Sequence, residues 1–283
     1  MNPAALKDIV ALALMEDVGP GDLTTRSIIP DELEGRASLV AREALVLSGL
    51  GAAAETLRQV DRRIVFTPLA AEGGRLAPGS EIARLAGPAA SILTAERVCL
   101  NFLMRLSGVA TLTARYVKAV GRSQAAVVDT RKTTPGLRFL EKAAVRHGGG
   151  RNHRFALYDG LLIKDNHIAA AGSIALAVGR ARAAAPHTLK IEVEVDTLEQ
   201  LKEALAAGAD LVLLDNMGPD LLRRAVALTE AFHAPGPRRT GLEASGGITL
   251  KTIGEVAQTG VDLISVGALT HSAPAVDLGL DWE

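Results

Sequence analysis

Residues 125–136 read AAVVDTRKTTPG. Four small apolar residues are followed at once by an acid, a hydroxyl and two adjacent cations, then by Pro-Gly and a stretch with helical spacing. A short apolar run bounded by polar and turn-forming residues is the signature of a buried strand. Here the polar group marks where that strand leaves the core. The unit recurs downstream: LLIKDN, LKIEVEV, DLVLLDN, GLEASGG and DLISVG. Helical stretches such as TLEQLKEALAAG, GPDLLRRAVALTEAF and TLKTIGEVAQTG separate these runs, and a short tail follows the last. About six βα units result, and continuous apolar strands with helical crossovers predict a parallel sheet covered on both faces.

Two closures fit that pattern, a barrel or an open doubly wound sheet. Every strand ends in a group able to do chemistry: Asp129-Thr130-Arg131-Lys132, Lys164-Asp165-Asn166-His167, Glu192 and Glu194, Asp215-Asn216, Ser245-Gly246-Gly247, and Gly267. In a barrel all the strand C-termini meet at one mouth, whereas in an open sheet only those near a switch point meet. The uniform decoration favours a barrel. Roughly six strands rather than the usual eight make it incomplete, so something else must close it.

The first part of the chain is different. MNPAALKDIVALALMEDVG has helical spacing without a basic leader or cleavage site, which predicts a folded amphipathic helix rather than a signal peptide. A Gly- and Asp-rich loop follows, then strand-like EGRASLVAREALVLSG, RIVFTPL and SEIARLAG around the helical LGAAAETLRQV. From residue 89 to 121 runs one long helical pattern, which Ser107-Gly108 could divide into two helices. This is a small α+β domain with a helical connector. Pro235-Gly236-Pro237 with Arg238-Arg239 reads as an exposed surface loop.

The bulk composition narrows the function by exclusion. A net charge of −1 is not that of a protein built to coat nucleic acid or an anionic membrane, so any strong anion binding must come from local clustering. No run approaches the ~18 apolar residues of a membrane span. A lone thiol, Cys99, allows neither an internal disulfide nor a zinc cluster, and a reducing cytoplasm is its simplest setting.

Clustering there is. Between Asp129 and Arg154 stand seven Lys/Arg and only two acids, Asp129 and Glu141. Arg131 and Lys132 end one strand, RNHR brings Arg151, His153 and Arg154 ahead of the next, and Lys164 follows LLI. A solvated basic face would give the same count. Cations leaving the core beside buried strands, however, are expected to be partly buried and to need anionic partners. Too few acids lie nearby, which points to a ligand; Arg forks suit carboxylates and phosphates, while Lys supplies a point charge. Alternation puts Glu192 and Glu194 on one strand face, with Asp215 one strand later. These acids either bridge to the cations or hold Mg²⁺ and sugar hydroxyls. Ser245-Gly246-Gly247 is expected to open a helix near Thr249 and let a phosphate approach the backbone, though a turn needing φ > 0 explains the glycines equally. Gly148 to Gly150 suggests a mobile loop. A mouth with cations, a few carboxylates and a phosphate cradle suits a polyanionic substrate, and displacement of pyrophosphate from an activated sugar needs this set.

DTRKTTPGLR, HGGGRNHRFALYDGLLIKDNHI, EVEVDT, LLDNM and EASGGI, with EDVGPGDLTT and AERVCLNFLMRLSGVAT upstream, resemble the quinolinate phosphoribosyltransferase family over essentially the whole chain. The resemblance implies transfer of phosphoribose from phosphoribosyl pyrophosphate to quinolinate with Mg²⁺. Pyrophosphate and CO₂ are released and nicotinate mononucleotide, a precursor of NAD, is formed. It implies an N-terminal α/β sandwich domain with helical connector (residues 1–110), an incomplete α/β barrel (111–270) and a tail (271–283) packed back on the first domain. It also implies homodimers, or a hexameric assembly of dimers, with each barrel capped by the partner. Carried over motif by motif, Arg97 is lent across the interface. Arg131, His153, Arg154 and Lys164 surround the quinolinate carboxylates with Lys132 beside the substrates. Glu194 and Asp215 meet the ribose hydroxyls and, directly or through water, Mg²⁺. Ser245, Gly246, Gly247 and Gly267 hold the 5′-phosphate. Lys132, Lys164, Glu194 and Asp215 form the implied catalytic set. The segment HAPGPRRT is longer than the family's usual turn. Competing readings are a barrel aldolase using Lys164 as a Schiff base, a same-fold paralogue of the molybdenum-transport-associated ModD type with another substrate, and an anion sensor without activity.

Overall fold

The apolar runs form strands in a computed structural model that describes residues 3–235 and 240–283. In chain order they are β1 (Glu34–Ala41), β2 (Leu45–Val46), β3 (Val65–Pro68), β4 (Arg75–Leu76), β5 (Glu81–Pro88), β6 (Ala126–Val128), β7 (Leu161–Ile163), β8 (Ile191–Val195), β9 (Leu211–Asp215), β10 (Gly241–Ser245), β11 (Leu263–Ser265) and β12 (Leu278–Trp282). Of the loop expected around Pro235 to Arg239, residues 236–239 lie outside the described residues. Two compact units form: residues 1–114, 133–149 and 269–283, and residues 115–132 and 150–268.

The first unit carries an antiparallel sheet in the order β12-β1-β5-β3. Leu39, Leu57, Ile82, Ile92, Leu103 and Leu278 meet in its core, with Cys99 among them. Each buried Leu or Ile contributes about 1.5–3 kcal/mol. The tail closes on this sheet, with Leu39 opposite Leu280.

The helix Ala89–Val120 is continuous, not divided at Ser107-Gly108. Its polar and small residues serve packing instead. Ser107 Oγ donates to Ser48 O and accepts from Ser48 N, both at 3.0 Å. At Gly108 a Cβ would overlap the carbonyl of Pro274. The first residue of the triple glycine has a similar role. Gly148 caps the helix Arg138–His147, is buried, and a Cβ there would strike Ala110 O and Thr113.

The second unit is an incomplete parallel barrel of six strands, ordered β6-β11-β10-β9-β8-β7. Chain-consecutive β6 and β7 do not pair with each other. The seam beside β6 is instead bridged by Arg151, which pairs with Val128. Strand alternation splits the residues cleanly. Val193, Val212, Leu214, Leu242 and Ile264 are fully buried. The alternate positions, Glu192, Glu194, Leu213, Asp215, Glu243 and Ser245, share the other face, with Glu194 and Glu243 both opposite Leu213 and Asp215 opposite Ser245. The crossover helices are punctuated as their sequences require. Ser173 caps Leu176 N at 3.1 Å, and Thr197 forms a capping box with Gln200; each such cap is worth about 1 kcal/mol. Among the described residues no helix is long and apolar enough to cross a membrane.

Candidate active site

The C-terminal strand ends of the second unit supply the polar groups. Lys164 follows β7, Glu194 lies in β8, Asp215 ends β9 and Ser245 ends β10. Lys164 Nζ lies 2.5 Å from Glu194 Oε2 and its side chain is 43% exposed. An acid from the neighbouring strand therefore meets this lysine. Arg131 and Lys132 are exposed, not partly buried as expected. β6 is only three residues long. The chain then turns at Thr130, whose Oγ1 accepts from Lys132 N at 3.0 Å, and both cations lie beyond the sheet.

The Asp215-Asn216 and Ser245-Gly246-Gly247 ends interlock. Asn216 has φ 54°, donates its Nδ2 to Asp215 Oδ2 at 2.7 Å, and its backbone N–H donates to Ser245 O at 2.9 Å. Gly246 and Gly247 have φ +96° and +60°, and a Cβ on Gly246 would overlap the Asn216 amide. These glycines serve a left-handed turn. The next helix begins only at Ile253, not near Thr249, because residues 249–252 first close a turn in which Thr252 N donates to Thr249 O at 3.1 Å. Gly267 sits between β11 and the helix Ala268–His271.

Residues 151–154 form an arm beside β6. Arg151 N donates to Val127 O at 2.8 Å. The fully buried Asp129 accepts from Asn152 Nδ2 at 2.6 Å and from His153 N at 2.9 Å. The His153 ring is held at both nitrogens. Arg154 N–H donates to Nδ1 at 2.7 Å, which leaves the ring proton on Nε2. Nε2 lies 2.9 Å from Glu192 Oε2 and 3.7 Å from Glu243 Oε2. Arg154 Nη1 donates to Gly160 O at 3.1 Å. Burial, and next the positive charge of Arg131, pull the Arg154 guanidinium below its ordinary pKa. An anion between these two arginines would relieve that strain. His167 faces other work: its Nδ1 accepts from Lys164 N at 2.9 Å and caps the helix Asp165–Ala171.

Sequence reasoning missed Glu243 and the way Glu192 is used. Burial, then the charge of Glu192, push the Glu243 carboxyl up to about 8. The available signal was positional: Glu243 stands two residues before Ser245 in an otherwise apolar strand, on the same face. Arg97 is exposed on the helix Ala89–Val120 in the first unit. Two sets of groups could take a cation. Glu194 and Asp215 each keep one carboxylate oxygen that has no hydrogen-bond partner among the described residues. His153, Glu192 and Glu243 lie with ligand atoms within 4.8 Å of one another.

Residues 22–107 match the N-terminal domain of quinolinate phosphoribosyl transferase and residues 109–281 its C-terminal domain. The chain is 47% identical over 281 residues to a Bacillus subtilis (strain 168) protein named "Probable nicotinate-nucleotide pyrophosphorylase (carboxylating)", covering 99% of this chain and 94% of that one. It is 43% identical to the nicotinate-nucleotide pyrophosphorylase (carboxylating) of Mycobacterium leprae (strain TN), over 98% of this chain and 97% of that one. The solved structure of the nicotinate-nucleotide pyrophosphorylase from Francisella tularensis superposes with a TM-score of 0.93 at 38% identity, covering 100% of this chain and 98% of the other.

Proposed function

The chain belongs to the quinolinate phosphoribosyltransferase family, and from that premise we propose that the C-terminal mouth of its six-stranded barrel is the active site. The chain is a nicotinate-nucleotide pyrophosphorylase (carboxylating), a pentosyltransferase of NAD biosynthesis. Its substrates are quinolinate and phosphoribosyl pyrophosphate. The observation that carries the assignment of the site is the gathering of Arg154, Lys164, Glu194, Asp215 and the Ser245-Gly246-Gly247 turn at the ends of the barrel strands.

The quinolinate ring nitrogen forms a bond to the anomeric carbon as the bond to pyrophosphate breaks. The nitrogen, now quaternary, draws the electron pair left when the bond to the 2-carboxylate breaks and CO₂ departs, and a proton then fills that ring position. The attack requires no general base, so orientation and charge compensation dominate. Arg154 and Arg131 grip the quinolinate carboxylates, with His153 and Lys132 beside them. Lys164 offers its ammonium to the same dianion. The Ser245-Gly246-Gly247 turn, with Gly267, takes the 5′-phosphate. Glu194 and Asp215 accept from the ribose hydroxyls, and their remaining oxygens are hard donors that fit Mg²⁺ shared with water and substrate oxygens. Bound there, Mg²⁺ would neutralise charge on the departing pyrophosphate. Lys164 in an ion pair with Glu194 is in the opposite setting to the desolvated, cation-flanked amine of a Schiff-base enzyme.

Exposed Arg97 and the exposed apolar Leu12, Met15, Leu23 and Ile28 support a homodimer in which Arg97 serves the partner's barrel. A cytoplasmic setting accords with the single buried Cys99, whose thiol burial pushes up to about 12. The test is an assay with quinolinate, phosphoribosyl pyrophosphate and Mg²⁺, followed by chromatography for nicotinate mononucleotide. Product from quinolinate but not from nicotinate is expected; turnover of nicotinate alone, or of neither, overturns the assignment.

A further inference from the structure

Glu192 and Glu243 are anomalous for a barrel interior. Among the described residues, Glu243 is 1% exposed with no close hydrogen-bond partner on either carboxylate oxygen, the Ser265 hydroxyl lying only near enough to lower its pKa somewhat; Glu192 is 6% exposed and its Oε1 has no partner. Bare polar atoms in an apolar layer cost stability. A barrel that needed only a packed floor would carry an aliphatic residue at such positions, as it does at Leu213, the strand neighbour of Glu243. Destabilising groups of this kind are retained where function uses them.

What they touch is His153, and His153 is part of the arm at the unpaired edge of the barrel. The arm is not held by a ladder. Its contacts include a bridge to β6, hydrogen bonds from Asn152 and His153 to Asp129, and the His153 ring. We propose that Glu192 and Glu243 are positioning residues for the reaction: through the His153 ring they fix residues 151–154, and with them the guanidinium of Arg154. Glu192 Oε2 accepts the hydrogen bond from Nε2–H. Glu243 closes the pocket on the other side of the same nitrogen. That leaves Nδ1 as the acceptor for Arg154 N–H, so the ring's orientation and tautomer are coupled to the backbone of the residue that grips the substrate. The raised pKa of Glu243 agrees, since a protonated acid lets two carboxyl groups share one small space. A separation of 2.9 Å between His153 Nε2 and Glu192 Oε2 is that of a hydrogen bond.

The inference rests on the reading of Arg154 as a quinolinate-binding group. Steady-state kinetics of the full chain, with each substrate varied in turn, test it on Glu243→Leu, Glu243→Gln and Glu192→Gln. Glu243→Leu and Glu192→Gln are expected to raise the quinolinate KM by about tenfold or more and to leave that of phosphoribosyl pyrophosphate within about twofold. Glu243→Gln, an amide shaped like the protonated acid, should recover most of what Glu243→Leu loses. Equal damage to both KM values, or no recovery with Gln, overturns the proposal. Should Glu243→Leu fail to fold, long-range nitrogen–proton NMR of the histidines decides. An Nε2–H ring at His153 that shifts in Glu192→Gln is expected, and a doubly protonated or Nδ1–H ring overturns it. Binding of one equivalent of Zn²⁺ or Mn²⁺ that Glu243→Gln abolishes would replace it with a metal site. Wild-type protein inactive on quinolinate would sink the functional reading instead, leaving the NMR outcome to judge the coupling of His153 to the two acids.

Discussion

Glu243 holds its proton because the fold leaves it nowhere to put a charge. Burial is the larger cause and the negative Glu192 the second, and together they lift it from an ordinary 4.5 to about 8. Between those values the folded chain binds a proton that the unfolded chain releases. The contribution to stability is therefore complete below about pH 4.5 and is lost as pH rises through about 8. Replacing the group by a neutral amide removes that slope. Calorimetric melting of Glu243→Gln against wild type should show the difference moving in the variant's favour from about pH 5 to 8 and levelling above. The movement should total on the order of a few kcal/mol. A difference that stays constant over this range would mean that Glu243 titrates as an ordinary acid. Arg154 gives a second expectation at this scale. Its charge is opposed by burial and by Arg131 in the bare site, so a dianion should be gripped strongly. Arg154→Ala should raise the quinolinate KM by roughly one to two orders of magnitude, the worth of a charged hydrogen-bonded pair. The KM for phosphoribosyl pyrophosphate should change much less; unchanged quinolinate affinity would remove Arg154 from the carboxylate site.

At the scale of elements, backbone packing separates glycines that look alike in sequence. Gly108 and Gly179 both lie inside helices, Ala89–Val120 and Ile174–Ala184. A Cβ on Gly108 would overlap the Pro274 carbonyl, whereas one on Gly179 meets nothing within 4 Å. Gly179→Ala should stabilise by about 0.5–1 kcal/mol through the better helix former. Gly108→Ala should destabilise by about 1–3 kcal/mol through overpacking against backbone. Urea unfolding measures both, and matching signs would refute the distinction. The same contrast explains what could be read in advance. Strands such as DLVLLDN and AAVVDT declare themselves because burial on both faces leaves an unbroken apolar run with a polar end. Ser107-Gly108 looked like a break because the partners that satisfy it, Ser48 and Pro274, lie far away in the chain. The candidate site divides likewise. Strand-end groups such as Lys164, Asp215 and Ser245 were legible from position alone. The pairing of Lys164 with Glu194, the exposure of Arg131 and Lys132, and the two acids against His153 depend on which strands are neighbours and on where a three-residue strand releases the chain.

At the scale of the whole molecule, Arg97 is the group the barrel strands do not explain. It is exposed on the helix Ala89–Val120, and it makes no hydrogen bond or ion pair among the described residues. An unpaired guanidinium suits donation to a partner copy in the proposed dimer, since a two-fold interface presents the same patch from both sides and so would complete both barrels at once. Complementation tests this without any structure of the assembly. Arg97→Ala and Lys164→Ala should each be nearly inactive alone, the first for want of the lent arginine and the second for a defect within the barrel. After full random subunit exchange, about half the dimers contain one copy of each variant. In such a dimer the intact barrel of the Arg97→Ala subunit receives Arg97 from its partner, while the other site carries both defects. One site in two is then restored in half the dimers, so about a quarter of wild-type activity should return. If Arg97 served its own barrel, each site in the mixed dimer would keep one defect and mixing would recover nothing. Native mass spectrometry to establish exchange, followed by the mononucleotide assay, separates the two outcomes.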